Sequence, residues 1–216
     1  LPMTSQDHQT GAAFSTLALG AAQLANLQQL GYTQMTPIQA ASLPLALQGQ
    51  DVAGQAQTGT GKTIAFLLAV YNRLLTQPAA KSRKPNQPRA LILAPTRELA
   101  IQIAGDLQNF SKNTGFVNIA VVYGGADIVK QMKEIERGVQ IVVGTPGRTL
   151  DLIKRGKLKV NEIRWVVLDE ADEMLSMGFK EDLDAILETS PADKQTLLFS
   201  ATMPNEIVAI SKKYMH

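Results

Sequence analysis

Cysteine is absent from the 216 residues, which excludes disulfides, a thiolate metal site and a thiol nucleophile. That absence fits a reducing compartment. Histidine is scarce, with His8 and His216 near the two ends, and neither is expected to be catalytic. A charge excess is lacking too: 21 Lys and Arg against 19 Asp and Glu leave +2, too little to announce a nucleic-acid partner without local clustering. No window approaches the ~18 uninterrupted apolar residues of a membrane helix. The start, Leu1-Pro2-Met3-Thr4, lacks the basic-then-apolar order of a secretory leader. The expected location is therefore cytoplasmic. An apolar share of 45% excludes a disordered chain, and 16 Gly with 10 Pro exclude collagen-like architectures. No internal repeat is visible.

What is present is a recurrence of short apolar runs: 51–56, 90–94, 119–123, 140–143, 165–168 and 196–199. Most are leucine-rich or β-branched and do not alternate with polar residues, as in strands buried on both faces. Helical periods lie between and around them, over 17–30, 37–47, 62–75, 97–110, 128–136, 179–187 and 205–214. Pro204 suits the first position of the last helix. Strand–helix alternation predicts an α/β domain with a mostly parallel central sheet and helices on both faces. Residues 1–12 read as a flexible tail and 13–216 as one domain. The segment 76–89, with Lys81, Arg83, Lys84 and Arg89 among three prolines, reads as a solvated loop or as a basic contact to a polyanion.

The most informative stretch is Ala56-Gln57-Thr58-Gly59-Thr60-Gly61-Lys62-Thr63, between a predicted strand and a predicted helix. Gly59 and Gly61 let the backbone curl so that successive N–H groups face inward as an anion nest. The following helix adds the positive end of its dipole. Lys62 supplies a mobile charge for β- and γ-phosphates, and the Thr63 hydroxyl is a ligand for Mg²⁺. Ala56 stands where the common pattern has Gly. A second apolar run ends in Asp169-Glu170. Asp169 is placed to hold Mg²⁺, and Glu170 to orient or deprotonate an attacking water. Lys62, Asp169 and Glu170 are the candidate catalytic residues.

Asp169-Glu170-Ala171-Asp172 is accompanied, in order, by Pro95-Thr96-Arg97, Gly124-Gly125, Thr145-Pro146-Gly147-Arg148 and Ser200-Ala201-Thr202. Over residues 14–204 the set resembles the N-terminal RecA-like P-loop domain of the DEAD-box ATP-dependent RNA helicases. The resemblance implies ATP and Mg²⁺ as cofactors. It implies that Gln39 reads adenine, Tyr32 stacks on it and Phe14 supports the pocket. It also implies that Pro95, Thr96, Arg97, Gly124, Gly125, Thr145, Pro146, Gly147 and Arg148 grip RNA backbone. Each of these groups follows a predicted strand, so they should emerge on one sheet edge. Ion pairs with carboxylates are the alternative for Arg97 and Arg148. Asp172, Ser200 and Thr202 would couple nucleotide to RNA.

The family's second RecA-like domain, with its arginine-rich signature, is not recognised in the chain. We therefore expect a fragment that binds nucleotide but hydrolyses little and does not unwind RNA. Segments 43–47, 171–179 and 195–199 resemble the bacterial heat-resistant RNA-dependent ATPase group. A nucleotide kinase, a DNA translocase or a non-catalytic sensing module are the alternatives.

Overall fold

The computed structural model describes residues 2–4, 12–57, 61–112 and 117–216. Among these residues seven strands form one sheet: β1 (Pro2–Thr4), β2 (Val52–Gln55), β3 (Ala90–Leu93), β4 (Ile119–Val122), β5 (Ile141–Gly144), β6 (Trp165–Leu168) and β7 (Gln195–Ser200). Their order is β1-β2-β7-β6-β3-β5-β4, and every pairing is parallel. The expected tail thus carries an edge strand: Pro2–Thr4 pairs with Ala53–Gln55. The rest of that tail lies outside the described residues, apart from Ala12.

Nine helices flank the sheet among the described residues: α1 (Ala21–Gln29), α2 (Pro37–Leu47), α3 (Lys62–Thr76), α4 (Arg97–Ser111), α5 (Ile128–Glu136), α6 (Pro146–Lys154), α7 (Ala171–Ser176), α8 (Lys180–Thr189) and α9 (Asn205–Tyr214). Local chemistry sets their starts. Thr96 caps α4 by accepting from the Leu99 amide at 3.2 Å, and Asp127 caps α5 by accepting from the Val129 amide at 3.0 Å. Pro37 and Pro146 open α2 and α6, where a missing N–H costs nothing. Pro204 is the residue before α9 rather than its first. α1 starts four residues later than its apolar period, because Phe14–Thr16 forms a separate 3-10 turn and Gly20 is extended.

Along the central strands, neighbouring residues point into two different cores. Ala90, Ile92, Trp165, Val167, Leu197 and Phe199 pack with α2, α3 and α4. Leu91, Leu93, Val166, Leu168 and Leu198 pack with residues of α5 to α9. β3, β5, β6 and β7 are buried along their whole length, which is why their sequences show no polar alternation. The register levels the strand ends: Leu93 lies opposite both Gly144 and Leu168, Val122 opposite Gly144, and Gln55 opposite Ser200. The segments that follow therefore leave the sheet along one edge. In spatial order the described ones are 56–57 with 61–63, 200–202, 169–172, 95–97, 145–148 and 123–127.

Candidate functional site

At one half of this edge, Lys62 opens α3 and is almost wholly buried. Its Nζ lies 2.9 Å from Asp169 Oδ1 and 3.6 Å from Glu170 Oε2. The lysine and the paired acids, separated by more than a hundred residues, thus meet in space. Asp169 has no solvent exposure. Burial pushes its pKa up; the Lys62 ammonium and the Glu170 amide pull it down without prevailing. Asp169 Oδ2 has no hydrogen-bond partner among the described residues. Glu170 is held at φ 52° and ψ 52°, the single non-glycine residue of positive φ among those described. Such a conformation costs about 1–2 kcal/mol, and strain of this kind collects at functional sites.

Ala56 follows β2 as a buried residue, its amide bonded to the Ser200 carbonyl at 2.9 Å. Gln57 is exposed. Thr58, Gly59 and Thr60 lie outside the described residues. Gly61, at φ 87°, closes the loop. Thr63 faces a cleft of about 410 Å³ together with Tyr32, Lys62, Asp106, Asp169 and Glu170. That size suits a nucleotide-scale ligand. Tyr32 meets Phe14 edge-on, their ring centroids 6.2 Å apart. Burial and the nearby Asp106 raise the Tyr32 pKa.

Gln39 lies beside the phosphate loop. It is buried and does not line the cleft. Its Oε1 accepts from the Thr36 amide at 2.9 Å, and its Nε2 donates to the Gly61 carbonyl at 3.1 Å. The side chain therefore ties the start of α2 to the phosphate loop, and reading a base requires its free N–H and lone pair or an exchange of partners. This contact makes Gly61 intolerant of a side chain. A Cβ there would stand 2.6 Å from Gln39 Nε2 and 2.7 Å from Thr36 Oγ1, on a backbone that L residues avoid. Gly61→Ala is expected to cost about 2–4 kcal/mol. A denaturation midpoint equal to that of the parent chain would refute this packing.

Asp172 joins the strand ends. Its Oδ2 accepts from Thr202 Oγ1 at 2.9 Å and from the Thr202 amide at 3.1 Å, while its own amide donates to Ser200 Oγ at 3.1 Å. Burial works to raise the Asp172 pKa, but these hydroxyl and amide donors outweigh it and the net direction is down.

At the other half of the edge, Pro95 is buried and Thr96 caps α4. The Arg97 guanidinium is exposed and lies 4.9 Å over the Tyr123 ring. Gly124 and Gly125 are exposed, Gly125 at φ 81°. Thr145 and Pro146 are buried at the start of α6, and Gly147 lies near the Phe179 ring. Arg148 donates to the Ala126 carbonyl at 3.2 and 3.3 Å and to Gln131 Oε1 at 3.0 Å. Neither arginine forms a salt bridge within the described residues, so the ion-pair alternative is not what the structure contains.

Gln131 is a residue that the sequence reading missed. Buried on α5, it accepts from the Tyr123 amide at 3.3 Å and donates to the Tyr123 carbonyl at 3.1 Å, while its Oε1 also holds Arg148. It pins the segment after β4 to the segment after β5. A polar residue on the inward stripe of α5, between Ile128 and Ile135, was the signal available.

A family model described as DEAD/DEAH box helicase matches residues 36–210. The chain is 49% identical over 210 residues to a protein named ATP-dependent RNA helicase RhlB from Xanthomonas axonopodis pv. citri, covering 96% of this chain and 37% of that one. It is 50% identical over 202 residues to a DEAD-box ATP-dependent RNA helicase CshA from Streptococcus pneumoniae, covering 94% and 37%. A crystal structure of a DEAD box protein from the hyperthermophile Methanococcus jannaschii superposes with a TM-score of 0.85 at 41% identity, covering 94% of this chain and 53% of that one. The chain therefore spans little more than a third of the curated relatives it matches.

Proposed function

The chain belongs to the DEAD/DEAH box helicase family, and on that premise we propose that residues 13–216 are the ATP-binding core domain of an ATP-dependent DEAD-box RNA helicase. The observation that carries this reading is the meeting of Lys62 with Asp169 and Glu170 at the mouth of a nucleotide-sized cleft. Lys62 would be handed from the carboxylates to the β- and γ-phosphates when nucleotide enters. The described residues fit Mg²⁺ as well. Asp169 Oδ2 is buried without a partner among the described residues, and Thr63 lines the same cleft. No group of three or more acidic or histidine ligands gathers among the described residues, which suits a cation held by one or two protein oxygens and by the substrate's phosphates. Bound there, it would neutralise charge on the transferred phosphoryl group.

Glu170 would orient the attacking water. Tyr32, with Phe14 behind it, offers a face to adenine, and Gln39 would carry base recognition back to the phosphate loop it already holds. Arg97, Gly124, Gly125, Thr145 and Arg148 would bind RNA sugar-phosphate without reading sequence. A C-terminal RecA-like domain of the same protein would complete the ATP site with arginine, a contribution worth roughly 10³–10⁵ in comparable NTPases. A cytoplasmic setting accords with this reading. No helix of the described residues is long and apolar enough to cross a membrane.

Two measurements test the reading. Fluorescent ADP should bind this chain and be displaced by ADP more readily than by GDP; equal displacement would discard the adenine assignment. Arg148→Ala should weaken RNA binding by the full-length protein evenly across sequences and lower the salt slope by about 1. A loss confined to particular sequences would contradict a backbone role.

A further inference from the structure

The opposite edge of the sheet, where the strands begin, carries a second depression, of about 610 Å³. Four cations reach it from four segments: Arg73 on α3, Arg89 ahead of β3, Arg164 ahead of β6 and Lys194 ahead of β7. Three of them have protein partners. Arg89 donates to the Leu74 carbonyl at 3.2 Å and the Gln77 carbonyl at 2.5 Å, with its guanidinium 5.1 Å over the Trp165 ring. Lys194 Nζ donates to the carbonyls of Leu187 and Pro191 at 3.3 and 3.0 Å. Arg164 lies 3.5 Å from Glu162. Arg89 and Lys194 thus satisfy the carbonyl ends of α3 and α8, which accounts for those two cations.

Arg73 has no such account. It is only partly exposed, and its Nε is sealed from solvent with no hydrogen-bond partner among the described residues. Its guanidinium presses against Gly49, where a Cβ would stand 3.0 Å from Nη2. A charged donor held without an acceptor is costly. The carboxylates of the depression do not relieve it. Asp51 accepts from the amides of Thr196 and His216, both at 2.8 Å, and Asp193 is exposed on the rim. Burial and the neighbouring Arg83 and Arg164 charges lower the Arg89 pKa, with Glu162 alone opposing. The basic loop picked out in the sequence ends at this place. Arg83 lies in a smaller adjoining depression shared with Arg89 and Arg164, fixed by the Gln87 and Val139 carbonyls at 2.7 and 2.6 Å.

We infer that this depression is a second anion site, separate from the nucleotide cleft, that takes a phosphoryl group through the unpartnered Arg73 fork and through Arg164, which lines the same depression. A phosphoryl group fits better than a carboxylate. It brings more than one charge into a space that already holds Asp51 and Asp193, and it offers several acceptor oxygens to planar guanidinium forks. The source of the group is either a free multivalent phosphate or the strand of an RNA.

Trp165 provides the readout. It is the one tryptophan of the sequence, it lines this depression, and it begins the strand whose far end bears Asp169. Pyrophosphate titrated at constant ionic strength into this chain, held in saturating ADP to fill the nucleotide cleft, should change tryptophan fluorescence saturably. Arg73→Gln should weaken the apparent affinity at least about tenfold, the loss of a charge-assisted hydrogen bond. Arg164→Gln should weaken it as well and serves if the Arg73 variant does not fold. An Arg73-dependent response to a short RNA identifies the strand as source; a response to pyrophosphate alone identifies the free anion. No saturable change, abolition by ADP, or equal response in both variants overturns the site.

Discussion

Lys62→Ala lowers the melting temperature by roughly 10 °C where Asp169 is ionised, and the drop shrinks as pH falls and Asp169 takes up a proton. Lys62 Nζ is the cation beside a carboxylate that water does not reach. Breaking a buried pair by removing one partner costs about 3–5 kcal/mol, because the other charge is left stranded. Asp169 escapes that penalty by taking up a proton. Its folded pKa already lies above the unfolded value, so the native state binds the extra proton, and stability falls as pH rises from the unfolded pKa to the folded one. Without Lys62 the folded value climbs further and the window widens upward. Melts across a pH series check the sign. A drop independent of pH would show that Asp169 is not the group released. Asp169→Asn added to Lys62→Ala should restore most of the loss, since the pair is coupled.

Glu170 separates activity from stability. In the full-length protein Glu170→Gln is expected to reduce RNA-stimulated phosphate release about 10²–10⁴-fold, the range for a positioned general base, while nucleotide affinity stays within about threefold. Glu170→Asn should also stop turnover yet raise the melting temperature slightly. Asn tolerates the left-handed conformation that Glu170 is forced into, and relief of that strain is worth roughly 1 kcal/mol or less. Turnover near the parent rate in either variant would remove Glu170 from the water-orienting role. A fall in the stability of the Asn variant would mean that the 3.6 Å approach to Lys62 outweighs the backbone strain.

How far the sequence carried is clearest residue by residue. The loop that ends at Gly61-Lys62-Thr63 and the acids Asp169-Glu170 were legible because each is a local signature, and a parallel sheet delivers both to one edge. β3 and β6 were readable to the residue or nearly so, since uninterrupted apolar runs leave no other reading. α6 was obscured because Pro146 and Gly147 look like loop residues until Pro146 is recognised as a helix start. Pro2–Thr4 has too few residues to show a period, and its pairing with β2 is a tertiary fact. Gln131, Arg73 and the anchoring of Gln39 escaped for one common reason. Each depends on a partner distant in sequence — Arg148 for Gln131, Gly61 for Gln39 — or, for Arg73, on the lack of one.

The sheet divides the interior into two apolar layers that share a wall of backbone but no side chains. Repacking one layer should therefore leave the other undisturbed, and damage on the two sides should sum. Drift in α5 to α9 can then proceed without loosening the layer behind the phosphate loop. The fold is modular across its thickness, and each half is free to vary as long as the strand ends stay level.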